Sequence, residues 1–334
     1  MDHSPIQHHS IIAGSRLPHL IEHATTNYEL LEIANNAKQQ IEDLLLRYGA
    51  ILLRGFNVDR DSFCAFVDSL SGGRLDYVYR STPRKTVGDR VFTATVYPAD
   101  REIPLHCENA YQRCWPMLLA FFCDQPALKG GETPLADVVK VTERIGPKLL
   151  EQFRRRGVRY IRNYTYGVDL PWTEVFQTQS RAEVERFCVE HDIEFAWGPG
   201  DNLRTAQTCQ GTAIHPRLGI ELWFNQAHLF HVSSLGPEHE QNMIDVFGLD
   251  GLPRNAVYGD GEAIASKDLN LIRTAFEMEQ VAFSWQKNDV LLVDNMQVAH
   301  GRRSYLGSRS VLVAMSDPYF SNPKDGKARG FATN

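Results

Sequence analysis

The chain has 334 residues, 43% of them hydrophobic and 23% charged, with a formal net charge of −6. That composition can bury a sizeable core in one large domain and excludes the low-hydrophobicity, high-charge regime of disordered chains. A mildly acidic balance gives bulk charge no part in binding nucleic acid or an anionic membrane surface, and no apolar run approaches a membrane span.

Met1 to His9 is polar and His-rich, without the apolar stretch of a secretory signal, which predicts a cytoplasmic protein. Residues 1–10 and the polar stretch 321–334 read as loose tails. Tyr28 to Tyr48 carries apolar residues at helical spacing (Leu30, Leu31, Ile33, Ile41, Leu44, Leu45), and Gly49 fits its stop. Ala50 to Phe56 follows as a buried strand, and Asp61 to Leu70 as a second helix. Strand-like stretches rich in Val, Ile, Phe, Tyr and Thr then dominate: Arg90–Tyr97, Ile103–Tyr111, Met117–Cys123, Gly157–Tyr164, Gly219–Asn225, Asp289–Asp294 and Ser308–Ser316. Helical pieces are predicted at Thr142–Arg156 and Ser180–His191. The pattern is that of a single α+β domain with a β-sandwich or barrel core, flanking helices, and a lid-like insertion over about 140–284 across the core's mouth. Six scattered cysteines (Cys64, Cys107, Cys114, Cys123, Cys188, Cys209) form no CxxC pair and read as free thiols in a reducing compartment.

The chemistry concentrates in Ile103-Pro104-Leu105-His106-Cys107-Glu108-Asn109. On an extended strand residues i and i+2 share a face, so His106 and Glu108 project together while Cys107 points away. One imidazole and one carboxylate are two legs of a 2-His-1-carboxylate triad, which leaves open positions on Fe(II). The apolar strand Asp289–Asp294 leads through Asn295 to His300, the candidate third leg. Alone, an HxE pair is better read as two polar residues on the open face of a strand.

Taken in order, the motifs resemble the taurine dioxygenase/TfdA family of Fe(II)/2-oxoglutarate oxygenases, close to clavaminate synthase and to the natural-product branch that hydroxylates amino acids. The likeness runs from about Tyr48 to Tyr319. It rests on Leu53-Arg54-Gly55-Phe56, on His106 and Glu108, on the turn Gly130-Gly131-Glu132-Thr133, and on Arg309 nine residues after His300. The resemblance implies a double-stranded β-helix (jelly-roll) core and iron held by His106, Glu108 and His300. It implies 2-oxoglutarate contacted by Thr133 and gripped through its 5-carboxylate by Arg309, whose planar guanidinium suits two parallel hydrogen bonds. Arg302 and Arg303 are rivals for that grip but lie too close to His300 by the family's spacing. O2 is the co-substrate, and the implied activity is hydroxylation of an unactivated carbon. Desaturation or cyclisation at the same iron, or a non-catalytic 2-oxoglutarate sensor, are the alternatives.

Two departures narrow the substrate. The family's taurine enzyme has a second arginine four residues after the first, which holds the substrate anion; here that position is Val313. Family halogenases have a small residue where this chain has Glu108, so halogenation is disfavoured. The implied substrate is an amino acid, free or tethered to an acyl or peptidyl carrier protein. The five arginines between Arg154 and Arg162 are a candidate docking patch for such an acidic carrier, or a solvated helix end and strand. Tyr79 to Arg84 could equally line the pocket or form a solvent loop. Trp223-Phe224-Asn225-Gln226 with His228 and His231 resembles a family segment near the active site.

Overall fold

Two entirely apolar runs, Ala50–Leu53 and Val290–Val293, lie side by side at the centre of the main sheet, antiparallel, with Leu52 opposite Leu291. They are continuous rather than alternating because both faces of this sheet are covered. Ile51, Leu53, Val290 and Leu292 pack against Ile33, Phe63, Phe66 and Val67 of the two N-terminal helices. Ala50, Leu52, Leu291 and Val293 point the other way, into a core shared with Leu135 and Val298 of a second sheet. The computed structural model describes residues 7–23, 28–75, 79, 86–88, 90–93, 97–164, 168–321 and 328–329.

The main sheet runs in the order Gln7–Ser10, His19–Glu22, Ala50–Arg54, Val290–Asp294, Cys114–Gln125, Ser310–Ser321, Val91–Thr93 and Thr86–Gly88, with Ala328–Arg329 added beside Ser310–Ser321. The facing sheet is Gln280–Val281, Leu135–Asp137, Val298–Arg302 and Ile103–His106. Together they form the jelly-roll core. The helix Leu30–Tyr48 ends at Gly49, whose φ of 79° admits a sharp reversal directly into the central strand. A Cβ there would lie 2.7 Å from Val298 Cγ2, so the close approach also demands glycine. Helix Arg60–Leu70 starts with a reciprocal cap between Asp59 and Ser62.

The segment between the core strands builds its own antiparallel sheet: Glu194–Trp197, Leu203–Cys209, Val158–Tyr164 and Arg254–Tyr258. Along Val158–Tyr164 burial alternates strictly, so Val158, Tyr160, Arg162 and Tyr164 face inward. The Arg162 guanidinium lies over the Tyr164 and Tyr79 rings, 4.8 and 5.6 Å from their centroids.

Several boundaries differ from those the sequence predicts. The helix expected over Thr142–Arg156 is two, Val138–Ile145 and Pro147–Arg156, broken at Gly146 with ψ 157° because Pro147 disfavours a helical residue before it. Gly219–Asn225 shrinks to the strand Glu221–Trp223, and Ser308–Ser316 lengthens to Ser310–Ser321. Gln7–Ser10, expected in a loose tail, is an edge strand paired with His19–Glu22; His8, His9 and Ser10 are exposed, so no apolar pattern announces it. At the other end Ala328–Arg329 pairs with Phe320 and Ser321. All six cysteines are unpaired thiols. Among the described residues no helix is long and apolar enough to cross a membrane.

Candidate active site

The strand Ile103–His106 pairs antiparallel with Val298–Arg302, and in that ladder His106 stands directly opposite His300. Directly opposed residues share a face and lie within side-chain reach. The two imidazoles are accordingly 4.5 Å apart between ring centroids. One rung of backbone pairing thus closes the long sequence gap between the two histidines.

Glu108 arrives differently from the sequence-based expectation. The strand stops at His106, and Cys107 to Gln112 turn away through Asn109 in the left-handed region at φ 57°. The i, i+2 argument therefore does not apply, because no strand continues under Glu108. A buried amide sets its position instead. Asn295 Oδ1 accepts the Glu108 N–H at 2.7 Å, while Asn295 Nδ2 donates to the carbonyls of Glu108 (2.9 Å) and Pro116 (2.8 Å). Glu108 Oε2 lies 3.9 Å from Nε2 of both His106 and His300. The three ligand atoms all fall within 4.8 Å of one another. His106 Nδ1 lies 2.8 Å from the Pro104 carbonyl, which can only accept, so that nitrogen carries the proton and Nε2 keeps its lone pair for the site. Glu108 and His300 are buried and His106 is partly open. Two imidazoles and one carboxylate converging from one side fit Fe(II) with positions left for other ligands.

The turn before His300 is set by Asp294. Its carboxylate accepts from His215 Nε2 at 2.9 Å, the Met296 N–H at 3.0 Å and Gln297 Nε2 at 2.9 Å. Cys107 packs into the neighbouring apolar cluster.

Thr133 and Arg309 line a narrow cleft with His106, His300, Phe121, Arg302 and Val313. Gly130 and Gly131 both have positive φ (71° and 75°), and a Cβ on Gly131 would come within 3.0 Å of Arg309 Cδ. The Gly-Gly turn is therefore the channel through which the Arg309 stem passes. Arg309 Nε donates to the Gly131 carbonyl at 3.0 Å. Burial and the nearby Arg302 charge pull the Arg309 pKa down to about 10, and it makes no ion pair among the described residues. A desolvated cation of this kind fits an incoming carboxylate. The rivals are otherwise engaged: Arg302 donates to the carbonyls of Tyr97, Pro98 and Arg101, and Arg303 pairs with Glu102. Thr133 Oγ1 accepts from Trp285 Nε1 at 3.0 Å, leaving its own proton to donate.

On the other side of His106 and Glu108 a cavity of about 860 Å³ opens, walled by Gln226, His228, His231, Arg254, Arg273 and Phe276 of the inserted segment. His228 is fully buried, and burial pushes its pKa down to about 3. His231 falls to about 4 for the same reason, so both are neutral. Neither belongs to the metal-competent group. Tyr79 lines a different cavity, beside Phe187 and His191, and Arg80 to Arg84 lie outside the described residues. Arg154 pairs with Glu221, Arg156 with Asp260 and Glu262, and Arg159 with Glu194, while Arg162 is buried. The arginine patch is thus largely neutralised from within.

Sequence reasoning missed Asn295, Trp285 and Arg273. Each acts through a partner far away in sequence, and no local spacing marks it.

Residues 14–315 match the family model described as taurine catabolism dioxygenase TauD, TfdA family. The dapdiamide synthesis protein DdaC of Enterobacter agglomerans is 39% identical over 94% of this chain and 95% of its own length. A clavaminate synthase-like protein of Arabidopsis thaliana is 30% identical over 83% of this chain and 84% of its own. Among solved structures, PvcB of Pseudomonas aeruginosa superposes with a TM-score of 0.55 at 15% identity, covering 94% of this chain and 92% of that one. AAD-2, solved with Mn(II) and N-oxalylglycine, gives 0.57 at 10% identity, covering 93% and 97%. These structural likenesses speak to the fold.

Proposed function

Because this chain belongs to the TauD/TfdA dioxygenase family, we propose that it hydroxylates an unactivated carbon of a small amino-acid-type substrate during biosynthesis of a natural product. As a family member it is an Fe(II)- and 2-oxoglutarate-dependent dioxygenase. His106, Glu108 and His300 hold the iron in this reading, and Thr133 and Arg309 receive 2-oxoglutarate. The observation that carries it is a two-histidine, one-carboxylate cluster placed between a substrate-sized cavity and a cleft whose Arg309 has no ion pair among the described residues. The biosynthetic role is supported by the likeness to the dapdiamide synthesis protein.

Iron held by His106, Glu108 and His300 would supply O2 activation for C–H oxidation at the expense of 2-oxoglutarate. The chain's own residues do the positioning. Pro104 fixes the His106 tautomer, Asn295 fixes the Glu108 backbone, and Arg309 orients the cosubstrate from its buried end. Residues of the segment between the core strands line the cavity opposite His106 and Glu108, where they would limit water at the reacting centre. A free small-molecule substrate is favoured over a carrier-bound one because the arginine patch is already paired with the chain's own acids.

Anaerobic addition of Fe(II) and 2-oxoglutarate tests this directly. A weak visible charge-transfer band should form in the wild type, disappear in His106→Ala, and need ~100-fold more 2-oxoglutarate in Arg309→Ala, as expected for losing a buried guanidinium–carboxylate pair. No band in folded, iron-loaded wild type would overturn the assignment.

A further inference from the structure

We propose that Arg273 anchors a free carboxylate of the substrate in the cavity that faces His106 and Glu108. This rests on the hydroxylase reading above and adds to it the substrate's charge and where that charge sits.

The resemblance to the taurine enzyme puts a substrate-holding arginine at position 313. Here Val313 is buried and lines the cofactor cleft as an apolar side chain. Recognition of a substrate anion therefore falls to the residues that line the larger cavity. Among the cavity's charged residues, Arg254 is matched to Asp169 and Arg303 to Glu102, and Glu108 belongs with the histidines. Arg273 is different. Among the described residues it makes no ion pair, although Glu277, an acid lining the same cavity, and Glu240 are near enough to act on it through space.

The guanidinium is nevertheless held still. Nε donates to the His228 carbonyl at 3.0 Å, Nη1 to Asn270 Oδ1 at 2.6 Å and Nη2 to Ser233 Oγ at 2.8 Å. All three acceptors are neutral. They use three of its five N–H groups and leave one on each terminal nitrogen, so the group is oriented without being discharged. Half-burial weakens its hydration and lowers its pKa, which raises what a carboxylate partner contributes.

Its placement relative to the chemistry follows from His228. That residue's carbonyl holds Arg273, and its ring is stacked on Phe276 at 4.8 Å and lies close enough to His106 to interact with it electrostatically. A carboxylate on Arg273 therefore lies in the same cavity of about 860 Å³ that His106 and Glu108 line, with His228 between them. A carrier thioester consumes the carboxyl group, so an anchor of this kind goes with a free acid.

The test is calorimetric titration of metal-free protein with the twenty free L-amino acids and their carboxamides. It compares wild type, Arg273→Gln and Arg273→Lys, each first shown to melt like the wild type. At least one acid should bind the wild type, with its carboxamide ~30-fold weaker, as for loss of one charge-assisted pair. Arg273→Gln should weaken the acid about as much and leave the carboxamide unchanged, and Arg273→Lys should restore part of the loss. Equal binding of acid and amide, unchanged affinity in Arg273→Gln, or no acid bound by the wild type would each overturn the proposal. The Fe(II)/2-oxoglutarate band, recorded in parallel, should be the same in wild type and Arg273→Gln. Its absence from both would remove the iron reading while leaving the acid-against-amide difference at Arg273 to stand or fall by itself.

Discussion

The inner and outer walls of the active site are built by different means. The inner wall is a β-ladder: His106 and His300 are rungs of one antiparallel pair, and Leu135 stands opposite His300 on its other side. Its geometry is set by backbone hydrogen bonds and by the core shared between two sheets. The outer wall is assembled from side chains on short helices and loops. Arg273 reaches a carbonyl of His228, Gln226 Nε2 reaches the Cys107 carbonyl at 2.6 Å, and Arg254 pairs with Asp169. A ladder fixes positions to fractions of an ångström whatever its surface side chains are, whereas a wall of side chains can be recut one residue at a time. On the proposed reading, chemistry belongs with the inner wall and substrate choice with the outer one.

The largest expected effect breaks the inner wall alone. Glu108→Ala should lower turnover by at least ~10³-fold through lost iron binding, with little change in melting temperature because the ladder remains. If the protein unfolds instead, the carboxylate is structural and the division between walls fails. Next comes acid sensitivity in the outer wall. His228 has its folded pKa depressed to about 3 against about 6.5 for a free imidazole, so the unfolded chain takes up its proton first. The stability this neutral residue retains is fully present above pH 6.5 and drains as pH falls toward 3, by roughly 3–5 kcal/mol. Denaturant titrations at pH 7 and 4.5 should show a smaller pH penalty in His228→Phe than in wild type; an equal penalty rejects the assignment.

A smaller effect tests the joint between the walls. Asn295→Ala strips partners from the Glu108 N–H and from two buried carbonyls, which should cost about 1–3 kcal/mol in stability. Its particular signature is weaker Fe(II) affinity, read by equilibrium dialysis, with Asn295→Asp recovering only the part that accepts the N–H. Equal loss of stability with unchanged iron affinity makes Asn295 a packing residue only. The smallest effect is Trp285→Phe. It removes one hydrogen bond to Thr133, worth about 1 kcal/mol, and should raise the 2-oxoglutarate requirement only a few-fold.

Legibility in the sequence divides along the same line. The inner wall is readable because strands leave a periodic or continuous apolar trace and because the triad's residue types are chemically restrictive. His106, Glu108, His300, Thr133 and Arg309 are all found at one junction of cleft and cavity. Even there the strand expected under Glu108 is a turn, since an amide at position 295 replaces the ladder and nothing near Glu108 signals it. The split at Gly146 is in principle readable from the Gly-Pro pair, but continuous apolar spacing on both sides masks it. The outer wall is opaque. Arg273 looks like any helix-surface arginine until Ser233 and His228, some forty residues earlier, are brought beside it.

The direct pairing of His106 with His300 carries one further consequence. In a β-ladder a slip of one residue sends every side chain to the opposite face, so a chain folded with Ile103–His106 out of step presents at most one of the two imidazoles to Glu108. Iron held by all three, as proposed, would then stabilise only the correctly aligned strands and leave slipped ones unassisted. On the proposed ligand set, a metal centre would act as a proofreader of its own scaffold, rewarding the one alignment that brings both imidazoles to Glu108.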